Sequence, residues 1–352
     1  MSQKRQSNFE LLRIFSMFLI VGSHFAVHGT YESPDYSTIE QIALDILRIG
    51  GKLGSNVFVM IGAYFLVGKN FKFERVIRIG VQVWLYSIGI LAIAAYYLHL
   101  DKKDVYLSIF PFPDAYWFAT TYILLLLFIP VLNKLISLVG KNGLEFILST
   151  LFMLWIVLPS LNLATFGLNN FTWFAFLYLA VSYIKLYTDD KLSQIPWGMV
   201  GITTLAITIL SIIWFHLVSH FIPEKLNDVL IQLRQNGLLT VILSFSLFLF
   251  AKESKVFISP VVNYLSGLTF TVYLIHEHPI MRPIIWGVVD NQRFNGFFQM
   301  IGGGILSAIL VFVITMMISI VTERILHPLM NVITNKGLVM VNYFMDYLKE
   351  EI

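Results

Sequence analysis

Apolar residues along this chain gather into runs about 20 long, parted by short polar stretches. A run of that length predicts a helix able to cross the roughly 30 Å hydrocarbon core of a bilayer. Ten such windows stand out, near residues 9–29, 53–69, 77–99, 116–138, 143–161, 171–187, 196–220, 236–251, 258–282 and 297–321. The window at 258–282 is unusually polar for a span. The pattern predicts an all-α, polytopic integral membrane protein with about ten transmembrane helices, residues 1–331 forming one membrane domain. Residues 332–352 read as a short amphipathic tail, with the stretch 332–348 suited to lie on a membrane surface.

Basic residues set the expected orientation. Lys69, Lys72, Arg75 and Arg78, then Lys134 and Lys141, then Lys185 and Lys191, then Lys252 and Lys255 fall in alternate connections, on the side of Lys4 and Arg5. The positive-inside rule assigns that side to the cytoplasm. An even number of spans returns the segment with Arg324, Lys336 and Lys349 to it, so both termini are expected to be cytoplasmic. The opposite connections hold Lys102, Lys103, Lys225, Arg234 and Arg293, several of them beside Asp101, Asp104, Glu224 and Asp228. Lys4 and Arg5 ahead of an apolar run resemble the start of a secretory signal. Glu10 and Arg13 interrupt that run and no A-x-A cleavage pattern follows, so a retained first span is expected.

Composition agrees with the pattern and narrows the chemistry. Charged residues make up 13% of the 352 positions, about half the share in a soluble domain. With no cysteine in the chain, disulfides, thiolate nucleophiles, iron–sulfur clusters and cysteine-type zinc sites are excluded. A net charge of +3 without a dense basic run gives no footprint for nucleic acid. Gly302, Gly303 and Gly304 lack the G-K-[ST] ending of a phosphate loop and suit close helix packing instead.

The first span holds Glu10, Arg13, His24 and His28 inside an apolar run. Arg13 and His24 are eleven residues apart, three helical turns, which puts both on one face about 16 Å apart along the axis. His28, four further on, joins that face. Intramembrane ionisable groups cost about 3 kcal/mol each and commonly line a cavity or polar path. Two readings stand: Arg13 snorkels to the interface beside Glu10 while His24 bonds a neighbouring helix, or the face lines a reaction path in which His24 takes a proton. A metal on His24 and His28 is not expected, because no H-E-x-x-H motif and no third ligand stand nearby in the sequence.

These residues, with several other segments, resemble the membrane acyltransferase-3 family of bacterial surface-glycan acyltransferases. Glu10, Arg13 and His24 match its first-helix acidic residue, arginine and R-x10-H spacing. KFERVIRI (Lys72 to Ile79) is similar to its R-x-x-R after the second span, preceded by the small-residue-rich GSNVFVMIGAYFLV (Gly54 to Val67). AYWFATTYILLLLFIPVLN (Ala115 to Asn133) resembles its W-[FY]-x-x-x-Y run, and LSGLTFTVYLIHEHP (Leu265 to Pro279) its S-x-x-[ST]-[FY]-x-x-Y-L-x-H pattern. The family's compact E-[RK]-P is replaced by TERILHP, in which Glu323 and Pro328 stand too far apart for that form.

The resemblance implies an O-acetyltransferase of the bacterial cytoplasmic membrane, carrying acetyl from cytoplasmic acetyl-CoA to a hydroxyl of a cell-surface or lipid-linked glycan. Arg75, Arg78 and Lys72 would grip the donor phosphates, and His24, with Arg13 and Glu10, would act in catalysis. Trp117, Tyr122, His276 and Glu323 would meet the acceptor. Simpler roles remain open for these positions: topology determinants for the basic cluster, interfacial packing for Trp117 and Tyr122, a structural hydrogen bond for His276. A transporter or flippase for lipid-linked sugars is the rival reading, and a succinyl donor a variant of the first. Direct transfer and an acyl-histidine intermediate both fit the residues. Membrane lipids are the other expected partners; nucleic acid and metal are not expected.

Overall fold

A computed structural model describes residues 5–32, 38–188 and 190–351; Lys4, used above for orientation, lies outside them. Every regular element among the described residues is helical. In chain order these are α1 (Ser7–Val27), α2 (Ile39–Leu66), α3 (Phe73–Tyr97), α4 (Lys102–Ile109) and α5 (Trp117–Phe152), then a π-helical turn and α6 (Leu158–Ser160). There follow α7 (Asn170–Tyr187), α8 (Trp197–Ser219), α9 (Leu226–Gln232), α10 (Leu238–Glu253), α11 (Pro260–Gly267), α12 (Thr269–His276), α13 (Met281–Val289) and α14 (Phe297–Glu351).

Six helices among the described residues are long and apolar enough to cross a membrane. One apolar stretch, Trp117–Ser160, is 44 residues long, about 66 Å of helix and twice the bilayer core. It breaks at Gly140, whose φ of +62° is open to glycine and costly for a side chain, and this break separates the predicted windows at 116–138 and 143–161. The windows near 171–187 and 236–251 fall on α7 and α10, of 18 and 16 residues. By length and composition six helices among the described residues qualify, and one of them, Trp117–Ser160, covers two of the ten expected windows.

Two windows are corrected outright. The second begins not at 53 but at Ile39, where Thr38 and Gln41 close a capping box. Glu40, Asp45, Arg48 and Lys52 lowered the apparent hydropathy of that half. Asp45 is satisfied inside the protein, by Arg48 at 2.8 Å and His216 at 2.9 Å. The polar window at 258–282 is not one helix but α11, α12 and an irregular turn ahead of α13. His278 holds the turn open: its Nδ1 accepts from the Ile280 amide (3.1 Å), which leaves Nε2 to donate to the Ser87 carbonyl (3.2 Å). Irregular backbone at membrane depth survives where such partners replace the missing helical bonds.

Helix α2 is the centre of the bundle, packed on α1, α7, α10 and α14. Its tightest neighbour is the antiparallel α1. A Cβ added at Gly50 would lie 2.6 Å from the Leu19 carbonyl oxygen, and one at Gly54 2.5 Å from that of Ser16. Gly50 and Gly54 form a GxxxG stripe that lets the two backbones touch. Gly51 meets the Ser23 side chain, a Cβ there lying 2.5 Å from its hydroxyl oxygen, which seats the middle of α2 beside His24. Helix α14 runs unbroken for 55 residues through Pro328, about 80 Å.

Candidate active site

Helix α1 lines one cavity with each of its halves. The C-terminal half supplies Met17, Ile20, His24, Val27 and His28 to a cavity of about 430 Å³, closed by Lys52 and Phe58 of α2, Trp117 and Phe118 of α5, and Tyr273, Glu277 and Arg282. The end of α12 carries His276 and Glu277 to the histidines of α1. His24 Nδ1 lies 3.1 Å from His276 Nε2 and 3.1 Å from Glu277 Oε1; His28 Nε2 lies 3.4 Å from the same oxygen.

The hydrogen-bond network assigns the protons. His276 Nδ1 lies 2.6 Å from the Val272 carbonyl oxygen, which can only accept, so Nδ1 carries the hydrogen and Nε2 the lone pair. His24 Nδ1 must then donate to His276, leaving the lone pair of His24 on Nε2, on a ring that lines the cavity. Glu277 is 6% exposed, and the only groups paired with its Oε1 among the described residues are the two histidine rings. Its charge stands beside His24, ready to stabilise an imidazolium. Tyr273 lines the same cavity, and its buried hydroxyl has no side-chain hydrogen-bond partner among the described residues.

The N-terminal half of α1 lines a second cavity, of about 560 Å³, with Glu10 and Arg13, joined by Arg5 and Gln6 just ahead of the helix and met by Gly62 of α2, Arg75, Arg78 and Gln82 of α3, and Tyr122 of α5. Four arginines face a single carboxylate. Glu10 Oε2 accepts from the Ser266 hydroxyl and stands 3.7 Å from Arg13 Nη1. The Arg13 guanidinium lies 5.6 Å from the Phe58 ring centroid, and its buried Nε has no hydrogen-bond partner. Arg78 Nη2 donates to His327 Nε2 at 3.2 Å.

Aromatic rings stand between the two cavities. Phe58 and Phe118 meet edge to face at 5.7 Å, and Phe118 stacks on Tyr122 at 6.2 Å. Phe58 and Phe118 line the histidine cavity, Tyr122 the arginine cavity. The Tyr122 hydroxyl occupies space that a side chain at Gly62 would fill, since a Cβ there would lie 2.5 Å from it.

The structure thus brings Glu10, Arg13, Arg75, Arg78 and Tyr122 to one cavity and His24 and Trp117 to the other. Trp117 and Tyr122, expected together, line different cavities. His276 is fully buried behind His24 and is not on the cavity wall. Lys72 is the exposed residue before α3 and lines neither cavity. Glu323 also lies away from both, accepting from the Tyr86 hydroxyl at 3.4 Å.

Sequence reasoning missed Glu277, Tyr273, Lys52 and Arg5. Glu277 was within view: an acid between His276 and His278 in an apolar window is itself an intramembrane charge. It also supplies the third ligand type absent from the sequence near His24 and His28, ligand atoms of the three lying within 4.8 Å of one another. A metal on His24 Nδ1 would displace the proton that the His276 bond requires.

A family model described as an acyltransferase domain matches residues 6–324. No curated protein and no solved structure gave a match. With all but the terminal stretches covered, the chain belongs to the acyltransferase-3 family.

Proposed function

We propose that this membrane acyltransferase moves an acetyl group from acetyl-CoA, held in the arginine cavity on the cytoplasmic side, to a glycan hydroxyl held in the histidine cavity on the opposite side. The observation that carries this reading is helix α1: one face bears a phosphate-type cation site at one end and a proton acceptor at the other, separated by about 16 Å. An extended pantetheine arm has that reach. It would pass the rings of Phe58, Phe118 and Tyr122.

The donor is polyanionic, and guanidinium groups match phosphate oxygens in pairs. Arg5, Arg13, Arg75 and Arg78 are the groups for that task. At the other end the acceptor oxygen attacks the thioester carbonyl while His24 Nε2 takes its proton. The new C–O bond replaces the C–S bond, the leaving sulfur departs as thiolate, and the proton on His24 passes to it or to water. Glu277 stabilises the imidazolium through this step. The Tyr273 hydroxyl is the donor for the oxyanion.

The acceptor is a cell-envelope glycan such as capsule, teichoic acid or exopolysaccharide, and the protein works in the bacterial cytoplasmic membrane with both termini inside. Mass spectrometry of surface glycans from cells with and without the protein tests the reading. An acetyl mass increment lost with the protein and restored by the wild-type gene, but not by His24→Gln, is the expected result; identical glycans in all strains would overturn it.

A further inference from the structure

The histidine cavity carries more positive charge than acid–base chemistry uses. Arg48, Lys52, Arg234 and Arg282 line it, against the single carboxylate of Glu277. Two of these cations are matched: Arg48 to Asp45 at 2.8 Å, and Arg282 to Glu277 at 3.9 Å. Lys52 and Arg234 have no carboxylate within ion-pair distance among the described residues. The Lys52 ammonium instead lies 4.5 Å above the Trp117 ring.

Both unmatched cations also line an adjoining cavity of about 380 Å³, whose other walls include Asn170, Gln235 and Asn236. They therefore stand where the two cavities meet. Lys52 is next to Gly51, which packs on Ser23, the neighbour of His24, so ammonium and base sit on adjoining turns of two touching helices. A half-buried lysine in the interior of α2, with no acid of its own, is costly in a membrane protein, and an anionic ligand would offset that cost.

We propose that the acceptor is an anionic glycan unit, bearing a phosphate or carboxylate, whose charge is held between Lys52 and Arg234 while a nearby hydroxyl faces His24. In the adjoining cavity Gln235 Nε2 donates to Asn170 Oδ1 (3.1 Å) and Asn236 Nδ2 to the Trp155 carbonyl (2.7 Å), a polar wall beside the two cations. Trp117 holds the Lys52 ammonium against its ring face beside this site. This inference rests on the acyl-transfer reading for the role of His24, but its binding claim stands separately.

The test uses the full chain in detergent micelles, with methyl glucoside, methyl glucuronide and methyl glucoside 6-phosphate as probes, and measures both equilibrium binding and acetyl transfer from acetyl-CoA. The expected result is tighter binding of one or both anionic probes than of methyl glucoside, by about 10- to 100-fold. Lys52→Gln/Arg234→Gln should abolish that preference while acetyl-CoA affinity is retained. Preference for the phosphate or for the glucuronide tells which anion the site takes. Equal binding of the three glycosides, no binding of any, or a preference that survives in the double variant overturns the proposal. Charge-selective binding without transfer of acetyl to any probe would support the anion site and count against the acyl-transfer reading.

Discussion

The two cavities along α1 are both rich in nitrogen cations or bases, yet they are built in opposite ways. In the arginine cavity the guanidinium groups of Arg75 and Arg78 project from the first turns of α3, and four arginines answer to one carboxylate. In the histidine cavity His24 is fixed from behind by His276, which is itself fixed by the Val272 carbonyl. Unmatched charge suits binding, because the ligand completes it. A tethered, proton-assigned ring suits reaction, because its lone pair is already aimed when the substrate arrives.

The largest effect should come from breaking the reactive half. His24→Gln keeps a side chain able to hydrogen-bond to His276 but removes the base, so turnover should fall by about 10²–10⁴ while acetyl-CoA affinity is unchanged. His28→Gln, one turn along the same helix, should cost far less. Steady-state transfer assays with parallel donor titration check both; a His24→Gln enzyme near the wild-type rate would remove the proposed base.

Next comes Tyr273→Phe, which deletes one hydroxyl with no side-chain partner and leaves the ring packing on Tyr116 and Phe118. A lost oxyanion donor costs about 10²–10³ in kcat, with the acceptor KM little changed. A KM effect alone would make this residue a binding group. On the binding half, Arg75→Ala with Arg78→Ala should raise the acetyl-CoA KM by about 10- to 100-fold and spare kcat at saturating donor. The reverse pattern would erase the distinction between the cavities. The smallest effect belongs to Lys72→Gln, within about twofold on every constant, since that side chain is exposed and off the cavity wall.

What was legible in the sequence was local. Arg13 and His24 share a face because helical periodicity demands it, and KFERVIRI places Arg75 and Arg78 one turn apart by the same rule. The partner that completes His24 was not legible, because His276 stands 252 positions away and no periodicity relates the two. Hydropathy failed at α2 for a related reason. Asp45 looks like a loop residue until His216 of α8 is brought against it, and only then does the half of α2 holding Arg48 and Lys52 read as bundle interior. The window at 258–282 was recognised as polar, but that a histidine at 278 substitutes for helical hydrogen bonds is a fact of the fold.

The rings of Phe58, Phe118 and Tyr122 also bear on the cell's voltage. With the arginine cavity open to the cytoplasm and the histidine cavity to the outside, as proposed, each pocket lies near the electrical potential of its own solution, and the membrane potential falls mainly across those few rings. A unit charge passing there would exchange about 2.3 kcal/mol per 100 mV, whereas a neutral acetyl group passes without electrical work. The energised state of the membrane would then leave acetyl passage untouched, while an ion in the same gap would be driven in one direction and opposed in the other.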